Sequence, residues 1–234
     1  KRYYSEVSRS WRRFFVYTPA GYDTRTDEKY PVLYLLHGGG EDERGWGTQG
    51  KTDLIMDNLI AAGKAKPMLV VMLDGNMPSA GFNAGALKAF EAELTQAVIP
   101  FLEDNYRVRK EADSRALAGL SMGGIQTLYA GLYHTDLFAH LGVFSSGWLP
   151  FYQKFADDQY EFINKNKAAI DSQLRLLWIA MGGKEDIAYQ NCQNMLKEFD
   201  TLKLKYTYSE YPGGHTWPVW RNNLYHFAQL LFNK

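Results

Sequence analysis

Runs that are apolar throughout alternate along this chain with stretches whose apolar positions recur at helical spacing. "YPVLYLLHGGG", "PMLVVMLDGN", "SRALAGL", "FAHLGVFSSGW" and "LRLLWIAMGG" each hold a short continuous apolar run. Such runs predict strands buried on both faces. "WRRFFVYTPAGY" mixes polar and apolar residues, as an outer strand ending in a turn would, and "LKYTYSEYPGG" supplies the last strand. In "KTDLIMDNLIAAGKA", Leu54, Ile55, Leu59 and Ile60 fall at helical spacing and Gly63 is the predicted stop. Further helices are predicted in "LKAFEAELTQAVIPFLEDNY", "GGIQTLYAGLY" and "WRNNLYHFAQLLF". All-apolar strands that alternate with helices predict an α/β fold, a mostly parallel central sheet with helices on both faces. Residues 148–170, aromatic and charged, have no assignable element and are read as a candidate cap. No internal repeat, low-complexity tract or linker interrupts the pattern, so residues 1–234 read as one domain.

In open sheets of this kind, ligands bind beyond the carboxyl ends of the strands. The glycine and polar clusters fall there, at 37–40, 74–76, 119–124, 145–148, 182–186 and 212–215. One of them, Gly119-Leu120-Ser121-Met122-Gly123, fits G-x-S-x-G and lies between a predicted strand and a predicted helix. That context points to a nucleophilic serine on a sharp turn. Glycines two before and two after Ser121 relieve the clash between strand and helix. The turn exposes the hydroxyl beside the helix N-terminus, where backbone N–H groups stabilise negative charge.

A serine nucleophile needs a base, an acid to orient the base, and an oxyanion hole. Of the five histidines, His215 in "YPGGHTW" follows the last predicted strand, where a glycine pair can aim its ring. His37 opens the HGGG stretch and is expected to hold that loop, while His134, His140 and His226 read as peripheral or packing residues. The order Ser, acid, His places the acid after the preceding strand, in "GGKED". Asp186 is the choice there and Glu185 the rival. The oxyanion donors are expected to be the backbone N–H groups of Met122 and of Gly39 in HGGG.

Composition removes other classes. Lys plus Arg is 26 and Asp plus Glu is 26, a balance with no global attraction for nucleic acid or an anionic membrane. No apolar run approaches the roughly 20 residues of a membrane span. The single cysteine, Cys192, precludes an intrachain disulfide. HGGG lacks the Lys-Ser/Thr ending of a phosphate loop, and no HExxH or Cys/His cluster suggests zinc, so no metal or cofactor is expected. The 16 Tyr, 13 Phe and 6 Trp suit carbohydrate or aryl binding as well as a core. The start at Lys1, with no apolar leader, reads as a piece trimmed from a longer product.

"YPVLYLLHGGGEDERGW", "QGKTDLIMDNLIAAGKAKPMLVVMLDGN", "RALAGLSMGGIQTLY" and "GGHTWPVWRNNLYHFAQLLF" together resemble the esterase D-like α/β-hydrolases of carbohydrate esterase family 1, with most likeness to bacterial feruloyl and acetyl xylan esterase domains. The resemblance covers about Tyr3 to Phe232. It implies an α/β-hydrolase fold and a serine esterase that releases ferulate, related hydroxycinnamates or acetate from arabinoxylan, with no cofactor. It sets the nucleophile on Ser121, the acid on Asp186, the base on His215 and the oxyanion donors on Gly39 and Met122. It also implies an upstream carbohydrate-binding module and a secreted or periplasmic setting. Related activities on the same fold are acyl-glutathione thioesterase and siderophore esterase. Substrate choice is expected from rim residues Trp46, Gln49, Asn76, Trp148, Phe151, Tyr152, Trp217 and Trp220, with Gln49 and Trp148 preferred because the HGGG and SSGW loops should face the serine.

Overall fold

The computed structural model describes residues 1–78, 83–148 and 153–233. Its strands are β1 (Arg2–Ser5), β2 (Ser10–Tyr17), β3 (Val32–Leu36), β4 (Leu69–Leu73), β5 (Arg115–Leu120), β6 (His140–Phe144), β7 (Leu176–Met181) and β8 (Thr207–Glu210). Its helices are α1 (Gly45–Thr48), α2 (Thr52–Ala61), α3 (Ala84–Glu93), α4 (Ile99–Asn105), α5 (Met122–Tyr133), α6 (Gln153–Gln173), α7 (Tyr189–Thr201) and α8 (Trp217–Leu230). Among the described residues the strands form one sheet in the order β1-β2-β4-β3-β5-β6-β7-β8. β1 and β2 run antiparallel to their neighbours; from β4 onward all pairings are parallel.

The all-apolar strands are buried on both faces, as their composition predicts. Successive side chains point to opposite faces, and β3 divides accordingly. Val32, Tyr34 and Leu36 join a core with residues of α3, α4, α5, α6 and α7, while Leu33 and Leu35 join a second core with α2 and α8. Two separate apolar layers therefore hold the central strands rigid, and the loops at their carboxyl ends are mounted on that base.

The predicted helix over 87–106 is interrupted by a π-helical turn at Leu94–Val98, just before Pro100. Proline lacks an N–H and its ring crowds the carbonyl four residues back; the wider turn makes room for it. Residues 153–170 of the expected cap form most of α6 instead. Phe162 stacks on Tyr133 of α5 with centroids 3.8 Å apart, and Phe155 packs on Tyr129. Aromatic surface on both helices drives this packing, which makes α6 a layer helix against α5. Helix α7 carries Cys192, Met195, Leu196 and Phe199 as its buried stripe, the i, i+3, i+4, i+7 spacing of an amphipathic helix.

The short strand β1 needs more than ladder bonds. Glu93, buried at the end of α3, accepts from the Tyr3 hydroxyl and the Ser5 hydroxyl, both at 2.6 Å, and lies 3.5 Å from the Arg12 guanidinium. Removing this carboxylate leaves a buried cation and two hydroxyls without it. Glu93→Ala is expected to destabilise the fold by about 3–5 kcal/mol, read as a lower denaturant midpoint in urea unfolding.

Candidate active site

Ser121 stands between β5 and α5 with φ 51° and ψ −115°, a strained conformation for a residue with a side chain. Its N–H donates to Phe144 O at 2.9 Å, and the Ser146 hydroxyl donates to Ser121 O at 2.7 Å. The flanking glycines are required by contact distance. A Cβ at Gly119 would lie 2.4 Å from the Gly123 carbonyl, and one at Gly123 would lie 2.5 Å from His37 O. That proximity lets Gly123 N–H donate to His37 O at 3.1 Å, tying the start of α5 to the HGGG loop.

His37 is fully buried and locks that loop from the other side. Its Nε2 accepts from Gly75 N–H at 3.0 Å, which leaves Nδ1 to carry the proton and donate to Gly38 O at 2.8 Å. Gln126 on α5 donates from Nε2 to Gly75 O at 2.7 Å. Glu41 accepts from Gly38 N–H at 3.2 Å and from Trp217 Nε1 at 2.9 Å, and Asn76 Nδ2 donates to Glu41 O at 2.8 Å. The HGGG loop, the loop after β4 and the start of α8 are thus one hydrogen-bonded unit. Among the described residues the Gly39 and Met122 N–H groups have no acceptor, and both residues line a cavity of about 310 Å³ with Gly40, Gly75, Asn76, Met77, Ala86, Leu87 and Gln126.

The acid loop after β7 and the histidine loop after β8 are pressed together, with Gly183 N–H donating to Gly213 O at 2.6 Å. There His215 Nδ1 meets Asp186 Oδ1 at 2.8 Å. Nδ1–H donates to the carboxylate, which leaves Nε2 as the basic nitrogen. The Trp220 ring stands edge-on to the imidazole at 5.0 Å. Burial pushes the Asp186 pKa up, but the His215 hydrogen bond, the nearby Ser145 hydroxyl and the Ala188 N–H outweigh it, and the pKa is lowered. Glu185 is exposed and bonds no histidine, so the geometry separates it from Asp186. The Ser121 hydroxyl forms no hydrogen bond to His215 here; such contacts are often long before substrate binds.

The remaining histidines and the cysteine are occupied elsewhere. His134 pairs with Glu91 at 2.6 Å, His226 stacks on Tyr211, and His140 is buried beside Phe232, where burial lowers its pKa. Cys192 is buried, and that burial pushes its thiol up to about 12, so it is not a reactive thiolate. No group of three or more metal-ligating side chains occurs among the described residues.

The rim expectations divide. Asn76 lines the cavity. Trp217 is half-buried, held by Glu41 and set edge-on between Trp46 and Trp220. Trp46 is corrected to the core: it is 1% exposed and its Nε1 donates to Leu36 O at 2.8 Å. Trp148, 5% exposed against Phe155, and Trp220 are likewise buried. Their apolar area gains more from the core beneath these loops than from water. Gln49 is exposed at the end of α1 and is not part of the cavity wall. Phe151 and Tyr152 lie outside the described residues. The sequence reading missed Glu41 and Gln126. Gln126 had a signal, being four residues after Met122 and so on the same helix face; Glu41 had none beyond its place after HGGG.

The profile of the esterase family, described as "Putative esterase", matches residues 5–229. The chain belongs to this family. The esterase is 35% identical over 98% of its length to an endo-1,4-beta-xylanase/feruloyl esterase of Xylanibacter ruminicola, and spans 30% of that protein. It superposes with TM-score 0.83 and 26% identity on a feruloyl esterase module from Clostridium thermocellum complexed with sinapinate, covering 100% of this chain and 87% of that one. A CE1 ferulic acid esterase from Anaeromyces mucronatus matches with TM-score 0.82 and 25% identity, over 99% of this chain and 89% of that one. The esterase has the α/β-hydrolase fold of these neighbours.

Two measurements check this geometry. Gly123→Ala is expected to lower stability by about 1–3 kcal/mol, seen as a lower melting temperature. Gly39→Ala should melt near wild type, because nothing lies within 4 Å of a Cβ there. The lowered Asp186 pKa adds stability that is present above the unfolded carboxyl value of about 4. It is lost as pH falls through the lower folded value. The stability gap between wild type and Asp186→Asn is therefore expected to persist at pH 5 and to shrink only below the ordinary carboxylate range, as urea unfolding at stepped pH would show.

Proposed function

We propose that this esterase releases ferulate or related hydroxycinnamates from arabinoxylan side chains through a Ser121-His215-Asp186 acyl-enzyme mechanism. The observation that carries the reading is the cavity of about 310 Å³ lined by Gly39 and Met122 together with Met77, Ala86 and Leu87. Free N–H donors beside apolar side chains suit an ester whose carbonyl carries a large flat acyl group. An acetyl group would leave most of that volume unfilled. The likeness to a xylanase/feruloyl esterase across 98% of the chain supports the same substrate class.

His215 Nε2 takes the Ser121 proton as the hydroxyl oxygen attacks the ester carbonyl. The tetrahedral oxyanion accepts hydrogen bonds from Gly39 and Met122 N–H, each worth about 3 kcal/mol in the transition state. Asp186 stays ionised and stabilises the imidazolium without taking its proton. His215 then protonates the departing sugar oxygen, and water activated by the same nitrogen hydrolyses the acyl-enzyme. A polymeric substrate places the enzyme outside the cytoplasm, secreted or periplasmic, and a binding module elsewhere in a longer protein would hold it on the polysaccharide.

Methyl ferulate, acetylated xylan and an acyl-glutathione, assayed with one preparation, test the reading. Rapid turnover of methyl ferulate is expected, with acetylated xylan slow; activity on the thioester alone would overturn it. Asp186→Asn should lower kcat on methyl ferulate about 10⁴-fold, whereas Glu185→Gln should leave it near wild type. A fluorophosphonate probe should label wild type and spare Ser121→Ala.

A further inference from the structure

A second hollow, of about 670 Å³, opens on the other side of the loop after β4. Its wall includes Trp11, Arg2 and Arg13 from the β1–β2 hairpin and Asp74, Asn76 and Met77 from the loop. Asn76 and Met77 also line the cavity beside Gly39 and Met122, so one loop forms the partition between the two hollows. That loop is gripped from α5, where Gln126 Nε2 donates to Gly75 O at 2.7 Å, and from the hairpin, and it is braced internally. Arg12 Nη2 donates to Asp74 O at 2.6 Å, and Asn76 N–H donates to Asp74 Oδ1 at 3.0 Å.

Trp11 is 63% exposed. It is nevertheless held in place. Tyr4, its cross-strand partner, stands edge-on at 5.7 Å, and the Arg2 guanidinium lies 5.2 Å from its ring. A fixed, exposed indole loses little conformational freedom on binding. Arg13, Asp74 and Asn76 around it supply donors and acceptors of both kinds. A flat apolar face ringed by mixed hydrogen-bonding groups matches a sugar ring, which has an apolar C–H face and hydroxyls at its edge.

We propose that this hollow is the carbohydrate subsite of the esterase, taking pentose units next to the esterified sugar with Trp11 as the stacking platform. The proposal rests on the feruloyl esterase reading above. In it, the acyl group occupies the catalytic cavity, the scissile oxygen lies at the partition, and the sugar chain continues past Asn76 and Met77 toward the hairpin. The sugar is the leaving group, so its binding acts on acyl transfer from natural substrates and not on methyl esters. Trp11 is a specificity residue and takes no part in bond making.

The test compares methyl ferulate with a feruloylated arabinoxylotriose on wild type, Trp11→Ala and Phe15→Ala. Phe15, 49% exposed, faces a different hollow with Tyr17 and Met72, so its variant should match wild type on both substrates. Trp11→Ala is expected to lose about 5- to 10-fold in kcat/KM on the oligosaccharide, mainly through KM, and to keep wild-type activity on methyl ferulate. Equal activity of Trp11→Ala and wild type on the oligosaccharide would overturn the subsite, as would an equal loss on both substrates or the same loss in Phe15→Ala. Wild type that leaves methyl ferulate intact would overturn the feruloyl reading itself.

Discussion

The Gly123 N–H to His37 carbonyl hydrogen bond, at 3.1 Å, is the contact on which the rest of the site depends. It forms only because neither Gly119 nor Gly123 has a Cβ to hold helix, strand and loop apart. Through it the first turn of α5, which carries Met122 and follows directly on Ser121, is set against the loop that carries Gly39. Ser121 and the N–H groups of Gly39 and Met122, the proposed nucleophile and oxyanion donors, are then fixed by backbone contacts, which are less free to shift than side chains. Preorganised donors of this sort need no rearrangement when charge develops.

The strain at that turn is met by the sheet beneath. A residue held as Ser121 is costs about 1–3 kcal/mol, and Ser145, with φ 45° at the end of β6, adds a similar cost. Burying one large apolar side chain contributes about 1.5–3 kcal/mol. Residues such as Leu36, Leu117, Leu120 and Phe144 are wholly buried around these turns. Two apolar layers, one on each face, thus hold two strained serines at adjacent strand ends, one the proposed nucleophile and the other beside the Asp186 carboxylate.

The loop after β4 lies between the two hollows. His37, Gln126 and Arg12 grip it from three elements, and Asn76 reaches across to Glu41. Glu41 in turn holds Trp217, two residues from His215. A displacement of this loop would therefore be felt at the HGGG loop, at the cavity wall and at the start of α8 together. Its outer side faces the hollow at Trp11, so the proposed acyl pocket and the proposed sugar subsite share one wall.

By itself the sequence determined the buried strands, most of the helices flanking them, the elbow at Ser121 and the histidine after the last strand. These follow from local rules: continuous apolar runs, helical spacing, and glycines at fixed offsets from a serine. It left two acids open, and folding decided between them by burying Asp186 against His215 and leaving Glu185 in water. The four-residue strand β1 escaped prediction because Glu93, remote in sequence, supplies its anchor. α6 buries Ala156, Ile163 and Ile170 at seven-residue spacing, and this stripe and that of α7 were legible and are nonetheless absent from the predicted elements. The tryptophans show the limit most plainly. Trp46, Trp148 and Trp220 were expected at the rim and are buried, while Trp11, in an expected strand, is exposed beside the site. Burial is a property of what packs above a residue, and only the tertiary structure decides it.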